Sequence, residues 1–309
     1  MDRAELVRSI AAAQDDLITR AQALKAGFSR HDIDYLVAVG RWRPLARAVY
    51  LTRGPDGEPA ARRCRIRAAV LSLGPAAHAV FGTAAELYGI AGLPRRDEIH
   101  VALPGRAARL ARVSDSAIVL HQLEHPVGTV VQVNGIRATD PLVTVSEVIL
   151  RERRYPAVSL LDSALNRKLL APECLATIPA LIRGRRGAVA ARGYLAEADG
   201  RAQSPLETRT RLRCVDGGVP PDALQLEVRD DDGYLLGIGD LGWRGPRLIA
   251  EADGRDPHGT PEAVFADRRR QNRLVNAGWT ILRFTWQDTL HPNYIPETVR
   301  QAITALQSR

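Results

Sequence analysis

Apolar positions along this chain switch between the 3.6-residue spacing of helices and the alternation of strands, and the switches mark its elements. In MDRAELVRSIAAAQ, Leu6, Val7 and Ile10 stand at helical spacing. ITRAQALKAGF predicts a second helix, with Thr19 as N-cap and Gly27 as stop. SRHDIDYLVAVG predicts a third: Ser29 caps it, Ile33, Leu36 and Val37 form its apolar face, and Gly40 ends it. RWRPLARAVYLT then changes period, giving two short strand-like pieces, Arg41–Leu45 and Ala48–Leu51. Three helices followed by a small hairpin is the order of a winged helix-turn-helix, with Ser29–Val39 as its recognition helix.

Beyond residue 55 the text is mixed. EPAARRCRIRAAVLSLG and GTAAELYGIAGL read as helices, EIHVAL, AIVLHQL and TVVQVNGIRAT as strands. Helical text resumes from PLVTVSEVIL through AVSLLDSALNRKLL to PECLATIPALI, and RGRRGAVAARGYLAEADGRAQ reads as a connector with some helix. The last segment predicts helix, three strands, helix, strand, helix. SPLETRTRLRCVDGG is a helix capped by Ser204 with Pro205 at its first position. ALQLEVRD and YLLGIGDLGW flank the hairpin turn DDG; RLIAEADG, the helix PEAVFADRRRQNRLVNAG, the strand WTILRFTW and the helix IPETVRQAITALQ follow. The expected architecture is multidomain α+β and α/β: a winged helix over 1–55, a mixed region over 56–200, and a mixed sheet flanked by helices over 201–309.

Composition changes this picture little, and charge changes it more. With 45% hydrophobic and 25% charged residues in 309, the chain can build real cores. No apolar run reaches the ~18 residues of a membrane span, and no signal-peptide core follows the first helix, so a cytoplasmic location is expected. Cys64, Cys174 and Cys214 lie far apart, as buried small residues rather than a zinc or disulfide framework. Residues 201–309 hold 15 basic and 15 acidic side chains, so the whole +8 excess lies in residues 1–200. That excess is almost all arginine. It reads either as a codon habit or as a surface for an anionic partner, and its localisation favours the partner.

Two motif matches fail on context. Gly237-Ile-Gly239-Asp-Leu-Gly242 spells a dinucleotide fingerprint, but Pro246 arrives before any helix that could meet a pyrophosphate. His121-Gln-Leu-Glu124-His125 spells an inverzincin pattern, but its flanks are those of a strand running into a turn. A stronger signal lies nearer the N-terminus. Arg30 and His31 open the recognition helix, and Arg41, Trp42, Arg43 and Arg47 lie in the hairpin, where groove and phosphate contacts are made. The alternative is a solvated basic face with Trp42 in the core. Residues 1–55 resemble the N-terminal domain of AbiEi-type antitoxins, most closely in GRWRPLARAVY, and ATDPLVTVSEVILRERRYPAVSLLDSAL extends the likeness. The resemblance implies an operator-binding winged helix and a nucleotidyltransferase-type toxin as partner.

The stretch LIAEADGRDPHG carries the remaining chemistry. Metal-dependent nucleases bring carboxylates together on a hard cation that activates water. Asp240 in GIGDLGW and Glu251, eleven positions on, can meet at one end of a sheet if their strands are neighbours. Glu207 on the preceding helix is a candidate third carboxylate. SPLETRTRL, Gln225 in LQLEV, GDLGW, EADGRDPHG and DRRRQNRLVNAGWTILRFTW resemble, in order, the very-short-patch-repair-like branch of the PD-(D/E)xK endonucleases. The resemblance implies a restriction-endonuclease-like fold in which Asp240 and Glu251 hold Mg²⁺ (or Mn²⁺) and Glu207 is the helix carboxylate. One position departs from it: Asp253 stands where that superfamily carries a lysine. An Asp cannot donate to a phosphate, which makes His258 and Arg270 the candidate donors. The charges of DRRRQNR either pair internally or track a phosphate backbone.

Two functions follow as expectations. The first is a DNA-binding, metal-dependent endonuclease, with RNA as a lesser alternative substrate. The second is an antitoxin-like regulator whose inactive nuclease fold serves homodimerisation or toxin binding.

Overall fold

The computed structural model describes residues 2–53, 60–105, 117–254 and 261–308. Its contacts divide the chain into two compact units, 1–90 with 95–148 and 91–94 with 149–309, so the expected mixed region contributes to both. The fold is mixed α and β, with three sheets among the described residues.

The first unit opens with α1 (Arg3–Ala12), β1 (Leu17–Thr19), α2 (Arg20–Lys25), α3 (Arg30–Ala38), β2 (Arg43–Ala46) and β3 (Val49–Leu51). Thr19 and Ser29 cap their helices, each accepting from the backbone N–H three residues on. One strand has no counterpart among the expected elements. β1 pairs with β3, Leu17 opposite Leu51, to give the order β1-β3-β2. Both faces of β3 are buried. Ile18 and Tyr50 pack with Val7, Ala23, Ile33 and Trp42 on one side, and Leu17, Val49 and Leu51 with Cys64 and Ala68 on the other.

α4 (Arg62–Ser72), β4 (His78–Ala79), α5 (Phe81–Leu87), β5 (Ile99–Leu103), β6 (Ile118–Gln122), β7 (Val130–Val133) and β8 (Ile136–Thr139) follow, with α6 (Pro141–Ile149) leading out of the unit. The strands form one sheet in the order β6-β5-β4-β8-β7, against which Ile66, Ala69 and Val70 of α4 pack. TVVQVNGIRAT, which reads as one strand, is a hairpin. Asn134 and Gly135 both take left-handed φ (50° and 76°), as a tight two-residue turn requires. Arg67 is buried under this turn, donating to the Asn134 and Gly135 carbonyls (2.7 and 3.0 Å) and to Asp15 Oδ2 at 2.6 Å.

The second unit begins with α7 (Arg154–Asn166), α8 (Ile178–Leu181) and α9 (Ala188–Ala196). Gly187 precedes α9 at φ 90°, where a Cβ would strike the Leu150 carbonyl. α10 (Pro205–Asp216) then packs on α7 around Asp162. That buried carboxylate accepts from Asp199 N, Thr208 Oγ1 and Arg211 Nη2 at 2.7, 2.8 and 2.9 Å. β9 (Ala223–Arg229), β10 (Leu235–Trp243), β11 (Leu248–Ala252), α11 (Pro261–Asn276), β12 (Thr280–Phe284) and α12 (Tyr294–Gln307) complete the chain in the order expected. The sheet runs β12-β11-β10-β9, with β11 and β12 parallel and the other neighbours antiparallel. One face buries Leu241, Trp243 and Phe284 against Ile295 and Val299 of α12; the other packs Ile249, Leu226 and Val228 against Leu274 of α11. The G-x-G-x-x-G match lies inside β10, where Cβ atoms on Gly239 and Gly242 would strike the Ile249 and Leu226 side chains. These glycines serve strand packing.

Candidate functional site

The register of the second unit's sheet places four polar residues in one line across it. β9 and β10 pair with Leu224 opposite Leu241 and Leu226 opposite Gly239, which sets Gln225 beside Asp240. β10 and β11 pair Leu241 with Ala250, so the next step brings Asp240 to Glu251. The parallel pairing of β11 with β12 puts Glu251 directly beside Arg283. Antiparallel and parallel registers thus converge on the row Gln225, Asp240, Glu251, Arg283. Two helices add to it: α10 brings Glu207 to Gln225, and α11 brings Arg270 to Glu251.

The hydrogen bonds define how each group is held. Glu207 is buried, and its Oε2 accepts from Gln203 N (2.9 Å) and Gln225 Nε2 (3.0 Å). Burial carries its pKa above the usual carboxylate range, and the charge of Asp240 adds to the shift. Asp240 is raised too, first by burial and then by Glu251, while the Ala252 N–H it accepts at 2.8 Å and the Arg270 charge oppose the rise. Gln225 reaches this position with a left-handed backbone, φ 51°, which a non-glycine residue adopts at a cost.

Glu251 is buried between two guanidiniums. Arg283 Nη2 lies 3.1 Å from its Oε2 and Arg270 Nη1 lies 2.7 Å from its Oε1. The same Arg270 Nη1 also donates to the Ile238 carbonyl at 2.9 Å. Oε1 is thus buried against the Arg270 guanidinium. Both arginines also hold Asp267, at 2.7 Å each, and Arg283 reaches Asp253 at 3.6 Å. Arg270 and Arg283 thus place positive charge beside Glu251, and Arg283 beside Asp253 as well. Arg270 was among the sequence candidates and Arg283 was not. Nothing in WTILRFTW marks Arg283, because the register of a parallel strand reached through α11 has no local signal. His258 lies outside the described residues.

Among the described residues no three His, Cys, Asp or Glu side chains gather as a metal-holding group. Mg²⁺ keeps several waters and is commonly held by one or two carboxylates together with substrate phosphate. A facing pair of buried or half-buried carboxylates, Asp240 and Glu251, fits that mode.

In the first unit Arg30, His31, Arg41 and Arg47 are exposed, the first two at the N-terminus of α3. Arg43 is half-buried. Trp42 has to be withdrawn from the expected nucleic-acid contacts: it is 6% exposed and its ring packs between Phe28 and Tyr50 at 5.7 and 5.8 Å. An open groove of about 820 Å³ lies between α3 and the β2–β3 hairpin, lined by Val37, Leu45 and Arg47 among others. The two acidic residues of α3 are neutralised by neighbours, Asp32 by Arg3 (3.0 Å) and Asp34 by Arg20 (2.9 Å). His121 and His125, set aside as zinc ligands, belong to separate contacts. His121 Nε2 meets His100 Nδ1, and His125 Nδ1 meets His78 Nε2, both at 3.0 Å.

No protein-family profile matches the chain. Two Mycobacterium tuberculosis proteins, each described as uncharacterized, are 34% identical to it over 261 residues: Rv2248 of strain ATCC 25618 / H37Rv and MT2308 of strain CDC 1551 / Oshkosh. The match spans 84% of this chain and 91% of each of theirs. Among solved structures, the RV2827C protein of Mycobacterium tuberculosis aligns with a TM-score of 0.44 and 17% identity, over 67% of this chain and 79% of that one. Among the described residues no helix is long and apolar enough to cross a membrane.

Proposed function

We propose that this chain, which belongs to one family with the two mycobacterial proteins, is a DNA-binding phosphodiester hydrolase. Its second unit is read as a very-short-patch-repair-like PD-(D/E)xK nuclease and its first helices and hairpin as an AbiEi-type winged helix. The observation that carries the reading is the row Gln225, Asp240, Glu251, Arg283 across four strands, flanked by Glu207 and Arg270. Polar groups of opposite sign are aligned there in a small sheet whose two core faces are apolar.

Asp240 and Glu251 are the residues that would hold a divalent cation. Bound there, Mg²⁺ or Mn²⁺ would supply an activated water and neutralise phosphate charge. Arg270 and Arg283 are permanently charged, so they stabilise negative charge on a phosphate but cannot serve as bases. Glu207 is the carboxylate not assigned to the cation. Its raised pKa suits it to take the proton of the attacking water, and its bonds to Gln203 and Gln225 orient it. Exposed Arg30, His31, Arg41 and Arg47 supply phosphate contacts for the DNA.

The test is cleavage of plasmid and short duplex DNA over a range of divalent metals. Wild type should nick or linearise DNA with Mg²⁺ or Mn²⁺ and stop in EDTA. Asp240→Ala should lose at least about 100-fold, more than the removal of a group that merely supports a metal ligand. Equal silence of both proteins removes the enzyme reading.

A second reading draws on the ion pairs of Glu251. With both its oxygens beside arginines and Asp253 replacing the lysine, the fold can neutralise its own carboxylates. The protein would then be an antitoxin-like regulator that binds its own promoter and a nucleotidyltransferase-type toxin, with the second unit serving dimerisation or toxin binding. Tight, salt-sensitive promoter binding without cleavage supports this alternative.

A further inference from the structure

The three arginines on successive alternate positions of α10 meet different fates. Arg211 pairs with Asp162 at 2.9 Å. Arg209 and Arg213 reach no carboxylate among the described residues. Arg209 Nε donates to Thr289 Oγ1 (3.2 Å) and Arg213 Nε to the Thr289 carbonyl (2.9 Å). Their guanidiniums lie over the Tyr155 ring at 5.1 and 4.9 Å, and Arg209 also lies 4.7 Å over the indole of Trp286. Burial, and then the neighbouring Arg213 charge, lowers the proton affinity of Arg209 below the ordinary arginine value. Two adjacent, half-buried cations with no counter-ion among the described residues leave a place for an anion.

Trp286 supplies the other half of the pattern. It is 49% exposed, whereas Trp42 and Trp243 are core residues. Its turn is well tied: Thr285 N and Oγ1 donate to Asp288 Oδ2 (2.7 and 2.8 Å), and Thr289 Oγ1 donates to the Trp286 carbonyl at 2.7 Å. A fixed turn that nevertheless presents half an indole, with a cation stacked on it, is a platform for a flat π-system. The platform lies at the sheet end that carries the candidate site. Trp286 is two residues past β12, whose Phe284 carbonyl accepts from Asp253 N at 2.8 Å.

We infer that Trp286, Arg209 and Arg213 form a subsite for one unpaired nucleotide, its base on the indole and its phosphate at the two guanidiniums. An acidic peptide would satisfy the charge and leave the indole without a planar partner. A stacked duplex would offer the phosphate but keep its base faces covered. The inference rests on the nuclease reading for its role, and it makes single-stranded or locally unpaired DNA the substrate class of the neighbouring carboxylates.

Binding is measured on the full chain in EDTA, where no cleavage competes, with a short labelled oligothymidylate and a blunt duplex of equal length. Oligothymidylate should quench tryptophan fluorescence in wild type. Trp286→Ala should remove most of that quench and weaken single-strand binding about five-fold or more, the low end of what base–aromatic stacking contributes. Trp286→Phe should restore most of the affinity, and duplex binding should change by less than about two-fold. Trp286→Ala binding oligothymidylate as wild type does, or losing single strand and duplex alike, overturns the subsite. Asp240→Ala separates the two readings. It should bind and quench like wild type while failing to cleave, whereas a cleaving Asp240→Ala would sink the nuclease reading and leave the subsite standing.

Discussion

At Asp240 burial and a facing carboxylate both disfavour charge, against which stand the Ala252 N–H, the nearby Arg270 and the Gln225 side chain. Such a group destabilises the folded state at neutral pH relative to an uncharged isostere. Asp240→Asn should therefore raise Tm by about 2 °C or more while removing metal-dependent cleavage, as measured by calorimetry beside the cleavage assay. An unchanged or lowered Tm would mean that the repulsion from Glu251 is already fully offset by Arg270. Glu251 should behave differently. It neutralises Arg270 and Arg283, so Glu251→Gln leaves their positive charge less well compensated and should lower Tm. The candidate carboxylates Asp240 and Glu251 were legible in the sequence because each interrupts otherwise apolar text, and Glu207 because it opens the preceding helix. Arg283 and Trp286 were not, since an arginine in a strand and a tryptophan after one are ordinary surface text until neighbours are known.

At the scale of elements, two buried polar links tie secondary structures together. Asp162 joins α7 to α10 through Thr208 and Arg211. Asp162→Ala leaves Arg211 half-buried without its partner and should destabilise the protein by about 3 kcal/mol in a urea titration. The second link lies in the first unit, where His78 of β4 meets His125, and His125 Nε2 lies 3.4 Å from Glu147 Oε1 of α6. His78 is held below the ordinary imidazole value of 6.5, first by burial, with the His125 and Arg137 charges adding and the Ala76 carbonyl and Glu147 opposing. A depressed folded pKa gives stability that is present above about 6.5 and is lost as pH falls through the lowered value. The drop in Tm from pH 7.5 to 5.5 should therefore be smaller in His78→Gln than in wild type; equal drops would exclude His78 as the source.

For the whole molecule, charge decides more than shape. The +8 excess lies in residues 1–200, and Arg30 and Arg47 are exposed in the first unit. If they meet phosphates, replacing both with alanine should weaken DNA binding uniformly across sequences. The slope of log affinity against log salt should then flatten by about 0.9 for each phosphate no longer neutralised. An unchanged slope would mean that DNA reaches this protein by another face.

The element order was largely written in the chain: capped helices at Thr19, Ser29 and Ser204, the DDG hairpin, and the strand and helix alternation of the last hundred residues or so. These are local matters, set by period, caps and turns within a few residues. Three features went beyond the expected pattern: the pairing of β1 with β3, the break at Asn134-Gly135 and the four-residue row across the second unit's sheet. The turn at Asn134-Gly135 was itself written locally, because Asn-Gly between apolar runs is a hairpin signal. The others were not: strand partners and registers join residues far apart in sequence, and their choice depends on which apolar faces bury together. Sequence alone supplied acidic and basic residues in suggestive order. Only the tertiary structure brought Arg270 and Arg283 to Glu251, because packing of α11 and the β11–β12 register place their positive charge beside it.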